Sequence, residues 1–288
     1  MRPWEPRRWT SSDGLELFYR DYPGASDRPP LLCLHGLTRN SRDFEDFAEL
    51  HAGRFRVLAV DFRGRGRSAY DPQPGRYVPL TYAADVLQLL DELRIDRAVF
   101  VGTSLGGLVT MLVAGIDLGR IAAAILNDVG PELDPAGLER IGTYVGKPMR
   151  FADWDEAADH VAAVNRGLPR SHGRGDWLRV ARRLCREDGG AIVFDYDMAI
   201  AEPFNQPASA LSFDLWPLFR RLAEVPLLIV RGENSDLLSP ATAEAMLAAA
   251  PGARLVTVAG VGHAPELTEP EARAAIDAFL QDVAPGRD

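Results

Sequence analysis

The sequence predicts an α/β protein: a mostly parallel sheet flanked by helices, with a helical segment inserted into it. Three observations carry that reading. Short apolar runs stopped by glycine or aspartate, such as PLLCLHG and RAVFVG, have the length and bounding residues of strands buried on both faces. Stretches of helical periodicity alternate with these runs, as crossovers between parallel neighbours require. Between residues 131 and 216 the alternation stops, and after it the same pattern resumes.

Taken in order, Asp13-Gly14 reads as the turn of a hairpin between RRWTSS and LELFYRDY. PPLLCLHG is a buried strand. SRDFEDFAEL is a helix with Ser41 as N-cap and Phe44, Phe47 and Leu50 at helical spacing. RFRVLAVD is a strand ending at Asp61 in a glycine-arginine loop. LTYAADVLQLLDELRI places Leu80, Ala83, Leu87, Leu90 and Leu93 on one helical face. RAVFVG is a buried strand, LGGLVTMLVAGI a helix too apolar for the surface, and IAAAILN a strand ending near Asn127. After the interruption, VPLLIVRG is a strand and PATAEAMLAAAPG a helix with Pro240 in its first turn and Pro251-Gly252 as its stop. ARLVTV is a strand and EPEARAAIDAFLQDV a closing helix. The interrupting segment holds the helix-like pieces WDEAADHVAAVNRGL and GDWLRVARRLCREDGG, together with Met149, Trp154, Trp177, Met198 and Phe204. It reads as a helical cap (residues 131–216) over a core formed by residues 1–130 and 217–288.

Composition narrows the function. The chain has 288 residues, a formal net charge of −9 and a single lysine, Lys147. Its arginines form no basic run, which argues against a nucleic-acid partner. No apolar run reaches the roughly 18 residues a membrane span needs. The N-terminal stretch MRPWEPRRWTSSDG lacks the apolar region of a secretory signal. Cys33 and Cys185 form no disulfide framework, so a reducing, cytoplasmic location is expected. There is no G-x-G-x-x-G, Walker lysine, H-E-x-x-H or Cys/His metal spacing, so neither cofactor nor metal is expected.

The chemistry centres on FVGTSLGGLV. Three glycines around one hydroxyl imply a geometric demand, because glycine weakens helices and strands alike. GTSLGG fits G-x-S-x-G, with Gly102, Ser104 and Gly106 in the fixed positions, after a strand and at the start of a helix. A serine held in such a turn is either a helix cap between packing glycines or a nucleophile. A nucleophile needs a base held by an acid. His263, in the glycine-rich loop after the last strand, is the candidate base. Asp236, after the penultimate strand, is the first choice of acid, with Asp128 in LNDVGP as the fallback. Both satisfy a chain order of serine, acid, histidine.

These motifs, with His35-Gly36 directly after a strand and DFRGRGRS after another, resemble the α/β-hydrolase superfamily in its cap-bearing, serine-nucleophile, carboxylesterase-like form. The resemblance implies an α/β-hydrolase fold and acyl transfer to water. Ser104 would attack, His263 would act as general base, and backbone N–H groups of Leu37 and Leu105 would form the oxyanion hole. His35 would brace its loop, while Asp61 and Arg63 would tie loops together. The expected partner is a small-molecule carboxylic ester or lactone. A cap rich in Trp, Phe and Met suggests a mainly apolar acyl or alcohol part. The same triad serves carbon–carbon hydrolases of meta-cleavage products, and some hydrolase-like folds only bind small molecules. Oligomeric state is not readable from the sequence.

Overall fold

The structure, a computed structural model, describes residues 3–165, 172–204 and 214–283. The chain opens with the expected hairpin. Strand β1 (Glu5–Thr10) pairs antiparallel with β2 (Glu16–Tyr22), from Glu5 opposite Asp21 to Thr10 opposite Glu16. Six further strands follow: β3 (Leu31–Leu34), β4 (Val57–Asp61), β5 (Ala98–Thr103), β6 (Ile121–Asn127), and later β10 (Leu227–Gly232) and β11 (Arg254–Val258). The eight form one sheet in the order β1-β2-β4-β3-β5-β6-β10-β11, parallel from β4 onward.

Successive residues of the central strands enter opposite cores, as the pleat requires. Leu32, Leu34, Leu58, Val60 and Phe100 face one layer, with α2 (Pro79–Glu92) and α3 (Leu105–Asp117). Leu31, Cys33, Val57, Ala59 and Val101 face the other, with α1 (Glu45–His51) and the closing helix, residues Pro270–Val283. Cys33 is a fully buried core residue.

Two local expectations are corrected. Asn40, not Ser41, caps the turn before α1: its side chain accepts from the Arg42 N–H. Ser41 instead donates its backbone N–H to Asp61 at 2.6 Å. On α2 the buried face is Tyr82, Ala83, Val86, Leu89 and Leu90, and Leu80 in the first turn is 59% exposed. The face is rotated because Asp85 must point inward. It makes a bidentate pair with Arg63 (2.6 and 2.8 Å), which also binds Asp71 at 2.5 Å and Asp13 at 2.9 Å. Asp61 and Arg63 thus tie loops together, Asp61 accepting from Ser41 and Arg67 N–H groups.

Between β6 and β10 the chain departs from a purely helical segment. It forms α4 (Pro135–Gly142), β7 (Arg150–Phe151), α5 (Trp154–Val164), α6 (Arg174–Leu184), β8 (Cys185–Asp188), β9 (Ala191–Phe194), the short α7 (Ala201–Phe204), and α8 (Trp216–Leu222). Strands β7, β9 and β8 make a small antiparallel sheet, so the helix expected to continue through CREDGG ends at Leu184. The physical reason is Gly189-Gly190, both at positive φ, which close a two-residue hairpin before AIVF, with its β-branched Ile192 and Val193. The last three residues of WDEAADHVAAVNRGL lie outside the described residues. Loop residues Gly64–Gly66 clip the segment to the core. Gly66 N–H donates to Asp195 O (3.0 Å) and Asp197 N–H donates to Gly64 O (2.7 Å).

Candidate active site

Ser104 follows β5 with φ +53° and ψ −115°, a conformation that costs a non-glycine residue about 1–3 kcal/mol and persists only when its surroundings enforce it. Its N–H donates to Asn127 O at 3.0 Å, and its carbonyl accepts from Gly107 and Leu108 at the start of α3. A Cβ on Gly102 would lie 2.5 Å from Gly106 O, and one on Gly106 only 2.0 Å from Leu34 O, so even alanine is excluded at both. Gly107 has a different reason. Its missing Cβ would meet Val129 Cγ1 at 2.3 Å, where α3 packs against the chain leaving β6. The serine side chain makes no helix-capping bond.

Its hydroxyl is directed elsewhere. Ser104 Oγ donates to His263 Nε2 at 3.0 Å, and His263 Nδ1–H donates to Asp128 Oδ2 at 2.8 Å. The carboxylate at Nδ1 fixes the tautomer that leaves Nε2 free to accept. Asp128 is fully buried, at φ +56°, immediately after β6. Its N–H donates to Val230 O (2.7 Å). Its Oδ1 accepts from Gly232 N–H (2.8 Å) and its Oδ2 from Ser235 Oγ–H (2.7 Å). Ser104 and Asp128 therefore follow the adjacent strands β5 and β6, and His263 lies in the loop after β11, with β10, which lies between β6 and β11, supplying the brace.

Asp236, the first choice from the sequence, does not meet His263. It lies four residues beyond the end of β10, past a turn closed by Ser235 N–H to Gly232 O. There it pairs with Arg140 of α4 through Nε to Oδ2 and, at 2.9 Å, Nη2 to Oδ1. Partial burial opposes its ionisation, but the Arg140 guanidinium prevails and holds its carboxyl below the usual range. Ser235, one residue earlier, is the functional neighbour that the sequence reading missed. It accepts from Leu237 and Leu238 N–H while donating to Asp128.

Gly36 and Leu37 line the cleft above Ser104, and Leu105 begins α3 directly after it. Arg65, completely buried, donates from Nε to Leu37 O at 3.0 Å and from Nη1 to Arg63 O and the Tyr82 hydroxyl. This fixes the Leu37 carbonyl on the protein side of the loop. His35 is also fully buried. Phe62 N–H donates to its Nε2 (3.0 Å), so its Nδ1–H donates to Gly36 O (2.7 Å). One ring nitrogen is thus committed to its own loop and the other to the loop that follows β4.

Burial lowers the pKa of His35 to about 3 and that of His51, packed against Phe47, to about 4. Both rings are neutral when folded but take a proton near pH 6.5 when unfolded. Their stabilisation is thus present above that pH and is lost as pH falls toward 4. Each should reduce unfolding free energy by about 2 kcal/mol at pH 5 relative to neutral pH. Urea unfolding at pH 7 and pH 5 checks this. In His51→Gln the acid-induced loss should shrink by about half, and an unchanged loss would refute the assignment.

The cleft has a volume of about 120 Å³ and is lined from below by Ser104, Asn127 and His263 and from the inserted segment by Ile141, Tyr144, His160, Phe194 and Tyr196. It is not mainly apolar, because Arg39, Arg140 and Arg183 also reach its wall. Met149, Trp154 and Trp177 pack instead against the segment's own small core, and Met198 and Phe204 against the main one. Among the described residues no group of three His, Cys, Asp or Glu is placed to hold a metal ion, and no helix is long and apolar enough to cross a membrane.

Residues 31–276 match the model of the alpha/beta hydrolase family. The 3-hydroxybutyrate-oligomer hydrolase of Cupriavidus necator is 34% identical over 260 residues, covering 88% of each chain. The 2-(acetamidomethylene)succinate hydrolase of Mesorhizobium japonicum is 32% identical over 244 residues, 84% of each chain. A crystal structure of an alpha/beta hydrolase from Novosphingobium aromaticivorans superposes with a TM-score of 0.93 at 51% identity, covering 98% of this chain and 99% of that one.

Proposed function

The chain belongs to the alpha/beta hydrolase family, and from that premise we propose that it hydrolyses carboxylic esters through Ser104, His263 and Asp128. The observation that carries this reading is the continuous chain of hydrogen bonds Ser104 Oγ–His263–Asp128, 3.0 and 2.8 Å long, opening into the cleft. Ser104 Oγ attacks the ester carbonyl carbon while His263 Nε2 takes its proton. The tetrahedral oxyanion lies against the Leu37 and Leu105 N–H groups, each such donor typically worth about 3 kcal/mol. Collapse expels the alcohol, which receives the proton from His263. Water then gives a proton to His263 and attacks the acyl group, and Ser104 leaves with that proton restored. Asp128 orients the ring and stabilises the imidazolium each time it forms. The segment from 131 to 216 acts as the cap that shapes the pocket. The relative from Cupriavidus necator supports the ester reading, since an oligomer of a hydroxy acid is joined through ester bonds.

The test is turnover of p-nitrophenyl esters of short and medium acids, a lactone and a meta-cleavage product, with fluorophosphonate labelling followed by mass spectrometry. Ester turnover with one label on Ser104 is the expected result. Preference for the meta-cleavage product would replace ester chemistry by carbon–carbon hydrolysis. No turnover and no label, with a ligand-dependent rise in Tm, would make the protein a binding module.

A further inference from the structure

Building on the ester-hydrolase reading, we infer that the substrate carries a carboxylate beside the scissile ester, recognised by Arg39 and Arg140. Both arginines line the cleft that opens onto Ser104. Arg39 leaves the chain close to the nucleophile: a Cβ on Gly36 would stand 3.4 Å from Arg39 Cγ and 3.7 Å from Ser104 Cβ. Arg140 reaches the same cleft from α4, one helical turn before Tyr144, whose largely buried side chain lies in the field of both guanidiniums.

Each arginine is only partly occupied. Arg39 donates from Nε to Asp43 at 2.6 Å, and its two terminal nitrogens have no hydrogen-bond partner among the described residues. Arg140 uses Nε and Nη2 on Asp236 and also shares a side-chain hydrogen bond with Tyr144, which still leaves part of its five-donor fork open to a ligand. Their side chains are 25% and 35% exposed, so solvent and ligand can reach them. Arg183, the third arginine in the wall, differs. It is 6% exposed and bound to Asp46 at 2.6 Å, so it serves as structure. Guanidinium donors exposed in a half-enclosed cleft match a planar carboxylate better than they match an alkyl chain.

A carboxylate could belong to the acyl or the alcohol side of the ester, and matched substrates distinguish these. Monoethyl glutarate against ethyl pentanoate places it on the acyl side, and 3-acetoxybutyrate against 3-acetoxybutyramide on the alcohol side. In a pH-stat assay at least one anionic ester should exceed its neutral partner in kcat/KM by about tenfold or more, mainly through KM. Arg39→Gln and Arg140→Gln, each shown folded by an unchanged Tm, should each reduce that ratio at least about fivefold, and Arg140→Lys should restore part of it. A ratio near one on both sides, or ratios unmoved by the variants, would overturn the inference. If no ester is hydrolysed, the ester reading fails, and calorimetry with glutarate tests the anion site separately. Binding to the wild type that is lost in Arg140→Gln supports the site, and no binding or equal binding overturns it.

Discussion

Ser104→Ala should lower kcat on any hydrolysed ester by about a millionfold, leaving a residual rate about a thousandfold over the uncatalysed reaction. The loss is that large because the three side chains act as a unit. Without Oγ, neither the 3.0 Å contact to His263 nor the support of Asp128 has a nucleophile to activate. The residual rate comes from binding and the oxyanion donors, which the substitution leaves in place. A capping serine would behave differently, costing about 1 kcal/mol of stability and little activity. Because the Ser104 side chain makes no capping bond, its Tm should barely move. Steady-state kinetics and thermal unfolding of one preparation separate the two, and an active Ser104→Ala enzyme would remove Ser104 from the mechanism.

Asp128→Asn comes next, with kcat reduced about ten-thousandfold. An amide at this position can turn an N–H toward His263 Nδ1, which then loses its own proton. The ring adopts the other tautomer, and Nε2–H faces Ser104 as a donor that cannot accept the hydroxyl proton. Asp236→Asn removes only a half-exposed partner of Arg140 and should leave kcat within about tenfold of wild type on a neutral ester. Measuring both variants on p-nitrophenyl acetate decides between the two acids: a large loss confined to Asp236→Asn would make Asp236, not Asp128, the acid.

That pair also marks how far the sequence could be read. Strands β3, β5 and β10 were legible because apolar runs bounded by glycine have few other meanings in an alternating pattern. Ser104 and His263 were legible because glycine crowding at a strand end leaves a distinctive signature. The acid was harder, since two aspartates follow two neighbouring strands. What separates them is distance from the strand end: Asp128 is the first residue after β6, whereas Asp236 has already been carried outward by a turn. Aspartate also tolerates positive φ better than most residues, which suits it to position 128. The small sheet between β6 and β10 was hidden by charged residues in CRED, although Gly189-Gly190 before AIVF held the hairpin signal. The arginines in the cleft could not be placed at all, because Arg39 and Arg140 are a hundred residues apart and meet only in three dimensions.

The insertion point has a consequence for how such a protein can change over generations. Ser104, Asp128 and His263 are all encoded outside residues 131–216, in the stretches that build the sheet. A large part of the wall facing them, including Tyr144, His160, Phe194 and Tyr196, is encoded inside that interval, which leaves and rejoins the scaffold between two strands already paired side by side. A lineage can therefore exchange or remodel the interval and alter the cleft wall while inheriting the Ser104–His263–Asp128 hydrogen-bond chain intact.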